Sequence, residues 1–156
     1  KHLMLAYVDT SILLKSYVAE PDSDAADVLI QDLNAVVVLS EIHRLEIVNA
    51  LRLKYFRNEI TQPQLKAAIR TFEHDIETGV YRTMPCDLKK VFFKASELSQ
   101  KCSGILGTRS LDLLHVAYAL ELGCTVFASG DTRQLKAAEQ AGLKICSFPP
   151  DPNHTT

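Results

Sequence analysis

Tryptophan is missing from this chain, and glycine and proline are sparse at six each in 156 residues. That scarcity excludes collagen-like, low-complexity and linker-rich architectures. No apolar stretch approaches the roughly 20 residues of a membrane helix, and no secretory leader pattern is present. The expected compartment is the cytoplasm, with Met4 as the native start. The four cysteines, Cys86, Cys102, Cys124 and Cys146, form no C-x-x-C pair and no Cys/His metal spacing. Cys124 and Cys146 lie in apolar strand-like runs, so buried free thiols are expected. Basic charge is also lacking. With 17 Lys and Arg against 19 Asp and Glu, the net charge of −2 rules out nucleic-acid binding by bulk attraction. A carboxylate cluster that holds divalent cations remains open as a route to phosphate.

What is present is ordinary for a globular protein, 47% apolar and 23% charged, at a length that fits one domain. Residues 1–150 are read as that domain and 151–156, after a proline-rich stretch, as a disordered tail. Leu5 to Val8 has the length and β-branching of a buried strand, and Ile12, Leu13, Ser16 and Tyr17 follow at helical spacing. A second helix runs to about Asp32, and Ala35 to Leu39 is a second strand. Ser40 caps a long helix from Glu41 to about Arg57, and Thr61 caps another that runs to Thr78 and stops at Gly79. Val80 to Met84 reads as a weak third strand and residues 87 to 101 as a helix, followed by a loop from Ser103 to Gly107. An apolar helix from Ser110 to Leu122, a strand at Cys124 to Ala128, a helix at Thr132 to Gln140 and a strand at Leu143 to Cys146 complete the pattern. Strands alternating with helices predict an α/β fold, a mostly parallel sheet of four to five strands covered on both faces. A helical hairpin at about 41 to 79 interrupts the alternation.

Four acidic residues stand where folding alone does not ask for them. Asp9 follows the first strand, where open α/β sheets collect ligands, although it or Thr10 can equally cap the next helix. Glu46 shares a helical face with Ile42, Asn49, Ala50 and Leu53, and is either partly buried or at the edge of the apolar stripe. Asp112 opens a helix that is apolar nearly all round, in the first turn where the helix dipole favours a carboxylate. His115, one turn on along the same face, is read as a hydrogen-bonded packing residue. Asp131 ends the turn Ser129-Gly130-Asp131, in which Gly130 permits a positive φ or a close backbone approach, and it too can be a cap. In a parallel sheet Asp9 and Asp131 share one edge, and the Asp112 helix can start there. Carboxylates gathered in one pocket repel one another unless cations neutralise them. Oxygen ligands without His or Cys point to Mg²⁺ or Mn²⁺.

These residues carry a family resemblance. VDTSILLK at 8–15, SEIHRLEIVNAL at 40–51, RSLDLLHVAYALELG at 109–123 and FASGDTRQL at 127–135, in this order and spacing, resemble the PIN domain and, within it, the VapC-like toxins of toxin–antitoxin pairs. The resemblance implies a Rossmann-like sheet and a Mg²⁺- or Mn²⁺-dependent ribonuclease that leaves 5′-phosphate and 3′-hydroxyl ends. Its acidic quartet falls on Asp9, Glu46, Asp112 and Asp131, all filled, and its hydroxyl positions on Ser11 and Ser129, the latter often Thr in the family. Asp9 with Asp112 or Asp131 would hold a metal, and Glu46 would bind a second metal or orient the attacking water. Ser11 and Ser129 would bond the ligating carboxylates or metal-bound water. Arg109 is the expected phosphate contact, with a capping or surface role as its alternative. Implied partners are RNA, a small antitoxin protein and a second copy of the chain as a homodimer. Leu45, Leu51, Tyr55, Phe56, Leu65, Ile69 and Phe72 of the hairpin offer apolar surface, or core packing.

Three rival readings fit less of the chain. A dehalogenase-type phosphatase wants a second Asp where Ser11 stands, and a receiver domain wants an acidic pair where Tyr7-Val8 stands. Both leave Glu46 and Asp112 idle. A non-catalytic RNA- or protein-binding module predicts lost carboxylates or a basic, aromatic-studded face, and neither is evident.

Overall fold

A computed structural model describes residues 3–149. The tail expected at 151–156 lies outside the described residues. The elements in order are β1 (Leu5–Val8), α1 (Thr10–Leu14), α2 (Ser23–Asp32), β2 (Val36–Val37), α3 (Glu41–Phe56), α4 (Gln62–Glu77), α5 (Leu88–Leu106), α6 (Ser110–Glu121), β3 (Val126–Ser129), α7 (Thr132–Gln140) and β4 (Lys144–Ser147). The four strands form one parallel sheet in the order β2-β1-β3-β4. Alternation along each strand sends side chains to opposite faces. Tyr7, Val38 and Phe127 join one core, with α5, α6 and α7. Val8, Val37 and Ala128 join the other, with α1 to α4. Both faces are therefore covered, as the alternation of strands and helices predicts. Among the described residues no helix is long and apolar enough to cross a membrane.

The strand order reverses between β1 and β3. The chain leaves β1 toward β2 on one side, and β3 returns on the other. Such a switch point opens a crevice at the carboxyl ends of its two strands. The Asp9 amide continues the ladder there, donating to the Ala128 carbonyl at 2.8 Å.

Several expectations hold and several need correction. Ser40 caps α3 and Thr61 caps α4, each by accepting from the backbone N–H three residues on, and each cap is reciprocated by the side chain at that position. The first helix is shorter than its spacing suggests. After Leu14 the amides of Lys15, Ser16 and Tyr17 bond the carbonyls three residues back, a tightened turn rather than further α-helix. The strand expected at Val80 to Met84 is a single parallel bridge between Val38 and Arg82. Two backbone bonds form it, and two residues after Val38 the partner chain turns into the Ser40 cap of α3, which leaves nothing to extend the pairing. The loop expected at Ser103 to Gly107 is helix up to Leu106. The buried stripe Val91, Ala95, Leu98 and Cys102 continues through Leu106, which packs on the core, and Gly107 at φ 68° ends the helix. In the hairpin Leu51 and Phe72 are core residues, whereas Leu45, Tyr55 and Phe56 are exposed. All four cysteines are free; Cys102 and Cys124 are buried, but Cys146 on the sheet edge is only half-buried. Burial pushes the Cys124 thiol up to about 12, so it stays protonated and inert.

Candidate active site

The crevice at the β1–β3 switch is a cleft of about 1100 Å³. Asp9, Ser11, Glu46, Arg109, Asp112 and Asp131 all line it, together with Thr10, Asn49, His115, Arg133 and Gln134. Six of the seven residues singled out in the sequence thus share one cleft. Ser129, the seventh, is fully buried beside it.

Asp9 occupies the N-cap position of α1, yet its side chain makes no capping bond. Its Oδ2 accepts instead from Ser11 Oγ at 2.6 Å. Burial raises the Asp9 pKa above the ordinary carboxylate value and the Glu46 charge adds to this, while Ser11 and His115 pull the other way. A carboxyl that neither caps its helix nor ionises comfortably is costly as pure structure.

Glu46 projects from α3 with Asn49, Ala50 and Leu53 beside it on the cleft wall, as the helical wheel predicts. Its Oε1 accepts from Thr10 Oγ1 at 3.0 Å and from His115 Nε2. Burial pushes Glu46 up, but the His115 and Thr10 bonds outweigh it and hold the carboxyl below its usual value. It is ionised at neutral pH.

Asp112 and Asp131 share one cation. The Arg109 guanidinium, which is largely exposed, lies 3.3 Å from Asp112 Oδ2 through Nε and 3.8 Å from Asp131 Oδ2 through Nη2. Asp131 is also the N-cap of α7, its Oδ1 accepting from the amides of Arg133 at 2.9 Å and Gln134 at 3.2 Å. The two oxygens divide the work. Ser129 Oγ accepts from the Asp131 amide at 3.0 Å and donates to Gln134 Oε1 at 2.7 Å, so it holds the turn rather than a carboxylate. Gln134 in turn reaches the Asp112 carbonyl at 3.4 Å and ties α7 to α6.

Gly130 serves by close approach, since its φ is not positive. A Cβ there would stand 3.0 Å from the Phe148 carbonyl oxygen, in a segment whose Phe148 amide bonds the Ser129 carbonyl at 3.0 Å. Gly130→Ala is expected to cost about 1–3 kcal/mol by overpacking, read as a lower urea midpoint; an unchanged midpoint would show that the turn yields freely.

Among the described residues no three His, Cys, Asp or Glu side chains stand close enough to hold one ion between them. In kind, however, the donor set suits a hard cation. It is all carboxylate, without cysteine, and two of its members already gather around a positive group, the Arg109 guanidinium.

Sequence reasoning missed Thr10, Gln134 and the part His115 plays. His115 is 69 positions from Glu46, and no spacing rule announces so distant a contact. The one available signal is a histidine one turn after Asp112 on a helix that is otherwise largely apolar.

The fold has known counterparts. The crystal structure of FitAcB from Neisseria gonorrhoeae superposes with a TM-score of 0.69 at 17% identity, over 96% of this chain and 99% of that one. VapBC2 from Rickettsia felis, bound to a DNA fragment from its promoter, gives 0.63 at 16% identity, over 93% and 99%. PAE2754 from Pyrobaculum aerophilum gives 0.54 at 15% identity, over 91% and 89%. No curated protein matches the sequence. The family model of the PIN domain matches residues 6–140, a span that contains every residue of the cleft, and the chain therefore belongs to the PIN domain family.

Proposed function

We propose that this chain is a Mg²⁺- or Mn²⁺-dependent ribonuclease, the toxin of a toxin–antitoxin pair. The observation that carries the reading is the convergence of Asp9, Glu46, Asp112 and Asp131 on one cleft from four separate elements. Such a set repels itself in the absence of cations and suits the chemistry of hard ones. Asp9 with Asp112 or Asp131 would hold the ion, and Glu46 would take a second ion or the attacking water. Bound there, a divalent cation supplies a lowered pKa for the attacking water and neutralises charge on the phosphodiester.

The chain's own groups do the rest. Ionised Glu46 would orient the attacking water by accepting a hydrogen bond from it. Ser11 keeps the Asp9 carboxylate turned by its bond to Oδ2. Arg109, released from Asp112 and Asp131 when their charge is met otherwise, is free to bind a phosphate through its planar fork of donors. Exposed Leu45, Tyr55 and Phe56 on α3 offer apolar surface for an antitoxin or a second copy of the chain.

The test is cleavage of a panel of end-labelled RNAs by purified protein with Mg²⁺, with Mn²⁺ and with EDTA. Cutting is expected only with metal, at sites that define the target, with 5′-phosphate ends on the downstream fragments. Folded protein that cuts no RNA under any metal, or cuts equally in EDTA, would overturn the reading.

A further inference from the structure

Behind the carboxylates lies a buried polar chain that the proposed reaction does not call on. Strand alternation turns Tyr7 of β1 inward toward α6, and a buried phenol must find partners. Its hydroxyl lies 2.6 Å from His115 Nδ1 and 3.0 Å from Ser40 Oγ. Ser40 Oγ lies 3.0 Å from His43 Nδ1. His43 has one possible neutral tautomer. The Ser40 amide donates to its Nδ1 at 3.1 Å, and the Val8 carbonyl, 2.7 Å from Nε2, can only accept. Burial pushes His43 down to about 3, so it stays neutral in the working range. At the other end the Glu46 carboxylate can only accept, so His115 Nε2 donates to it. The chain thus runs from the carbonyl of Val8, the residue before Asp9, to the carboxylate of Glu46, through four side chains, His43, Ser40, Tyr7 and His115, none more than 4% exposed.

Stability alone gives no reason for this wiring. Phenylalanine at 7 and an aliphatic residue at 115 would match the neighbours Phe127, Leu113 and Val116, and a buried polar network is often no better than the apolar packing it replaces. What the network does achieve is directional. Glu46 Oε1 takes both the Thr10 and the His115 bonds, which restrains the carboxylate through one oxygen, and Oε2 of this cleft-lining side chain has no hydrogen-bond partner among the described residues. The Tyr7 hydroxyl holds the His115 ring by its far nitrogen, so the ring cannot turn away.

We infer that Tyr7 and His115 are positioning residues for the hydrolysis, holding Glu46 with one oxygen presented to the cleft through the linked contacts Tyr7–His115–Glu46. The inference rests on the ribonuclease reading above. Tyr7→Phe, which removes one oxygen atom, and His115→Asn, whose amide ends short of Glu46, are each expected to lower kcat about 10–100-fold, the usual effect of losing an orienting partner, with KM little changed. His115→Gln places an amide N–H near the position of Nε2 and is expected to recover most of that loss. In a Glu46→Gln background Tyr7→Phe should cost nothing further, because residues that act through one another are not additive. Circular dichroism melts of each variant verify that the proteins compared are folded.

The inference is overturned if Tyr7→Phe and His115→Asn cleave like wild type while Glu46→Gln does not. It is also overturned if Tyr7→Phe costs as much in the Glu46→Gln protein as in wild type, which is the mark of general loosening. If wild type is metal-independent or inactive, or Glu46→Gln cleaves normally, the ribonuclease assignment of Glu46 fails first and takes the inference with it. The outcomes are separate.

Discussion

Asp9→Asn is expected to lower RNA cleavage by about 10²–10⁴-fold, the range for a group that acts on the reacting atoms, while making the metal-free protein more stable. The second half follows from linkage. Burial, with the Glu46 charge behind it, raises the Asp9 pKa on folding. A carboxyl raised in this way lends stability below its unfolded value, and that stability is lost as pH rises through the folded one. At neutral pH the ionised Asp9 is therefore a burden on the metal-free fold. Asparagine has the same size, carries no charge and can still accept from Ser11 Oγ. The gain is expected at about 0.5–2 kcal/mol, as for other relieved functional sites.

Thermal melts in EDTA from pH 3 to pH 8 measure it. The variant's advantage should be small at the acid end and should grow as Asp9 ionises in wild type. Added Mn²⁺ should then raise the wild-type Tm more than the variant's, because only a ligand that binds the folded state stabilises it. A variant less stable than wild type in EDTA at neutral pH would mean that Asp9 is structural after all, and the cap reading would return.

Much of this site was legible because its residues sit where local rules apply. Asp9 and Asp131 follow apolar runs, and Asp112 opens an apolar helix, so topology alone puts them at one edge. Glu46 was legible for another reason: a helical wheel places it beside Asn49 and Leu53 on one wall. The supporting residues were not legible. Tyr7 and His115 are 108 positions apart, and a tyrosine in a strand beside a histidine in a helix carries no periodicity that links them. Fold errors had the same root. Val80 to Met84 has strand-like residues, but its pairing partner ends after Val38, where the chain turns into the Ser40 cap of α3. Ser103-Gly104 has loop-like residues, but the stripe that includes Cys102 and Leu106 keeps the helix on the core. In both places tertiary packing overrode local preference.

Asp131 permits a sharper separation, because one side chain serves fold and reaction through different oxygens. Asp131→Asn is expected to melt close to wild type, since asparagine ranks with aspartate as an N-cap and its amide oxygen can take the Arg133 and Gln134 amides from Oδ1. The lost interaction of its charge with the α7 dipole costs about 0.3–1 kcal/mol on this half-buried cap. Cleavage by the same protein is expected to fall at least about a hundredfold, since the charge at Oδ2, which now draws Arg109, is gone. Asp131→Ala should lose both, adding about 0.5–2 kcal/mol of destabilisation for the missing cap. Urea midpoints and cleavage rates on the three proteins decide the matter. Normal cleavage by Asp131→Asn would reduce Asp131 to a cap, the ordinary explanation that its position in the turn always allowed. Equal destabilisation of the Asn and Ala variants would show instead that its charge, rather than its hydrogen bonds, anchors α7. Only the pattern of a sound fold with lost chemistry in the first variant, and both lost in the second, fits a residue whose cap was put to a second use by the cleft it borders.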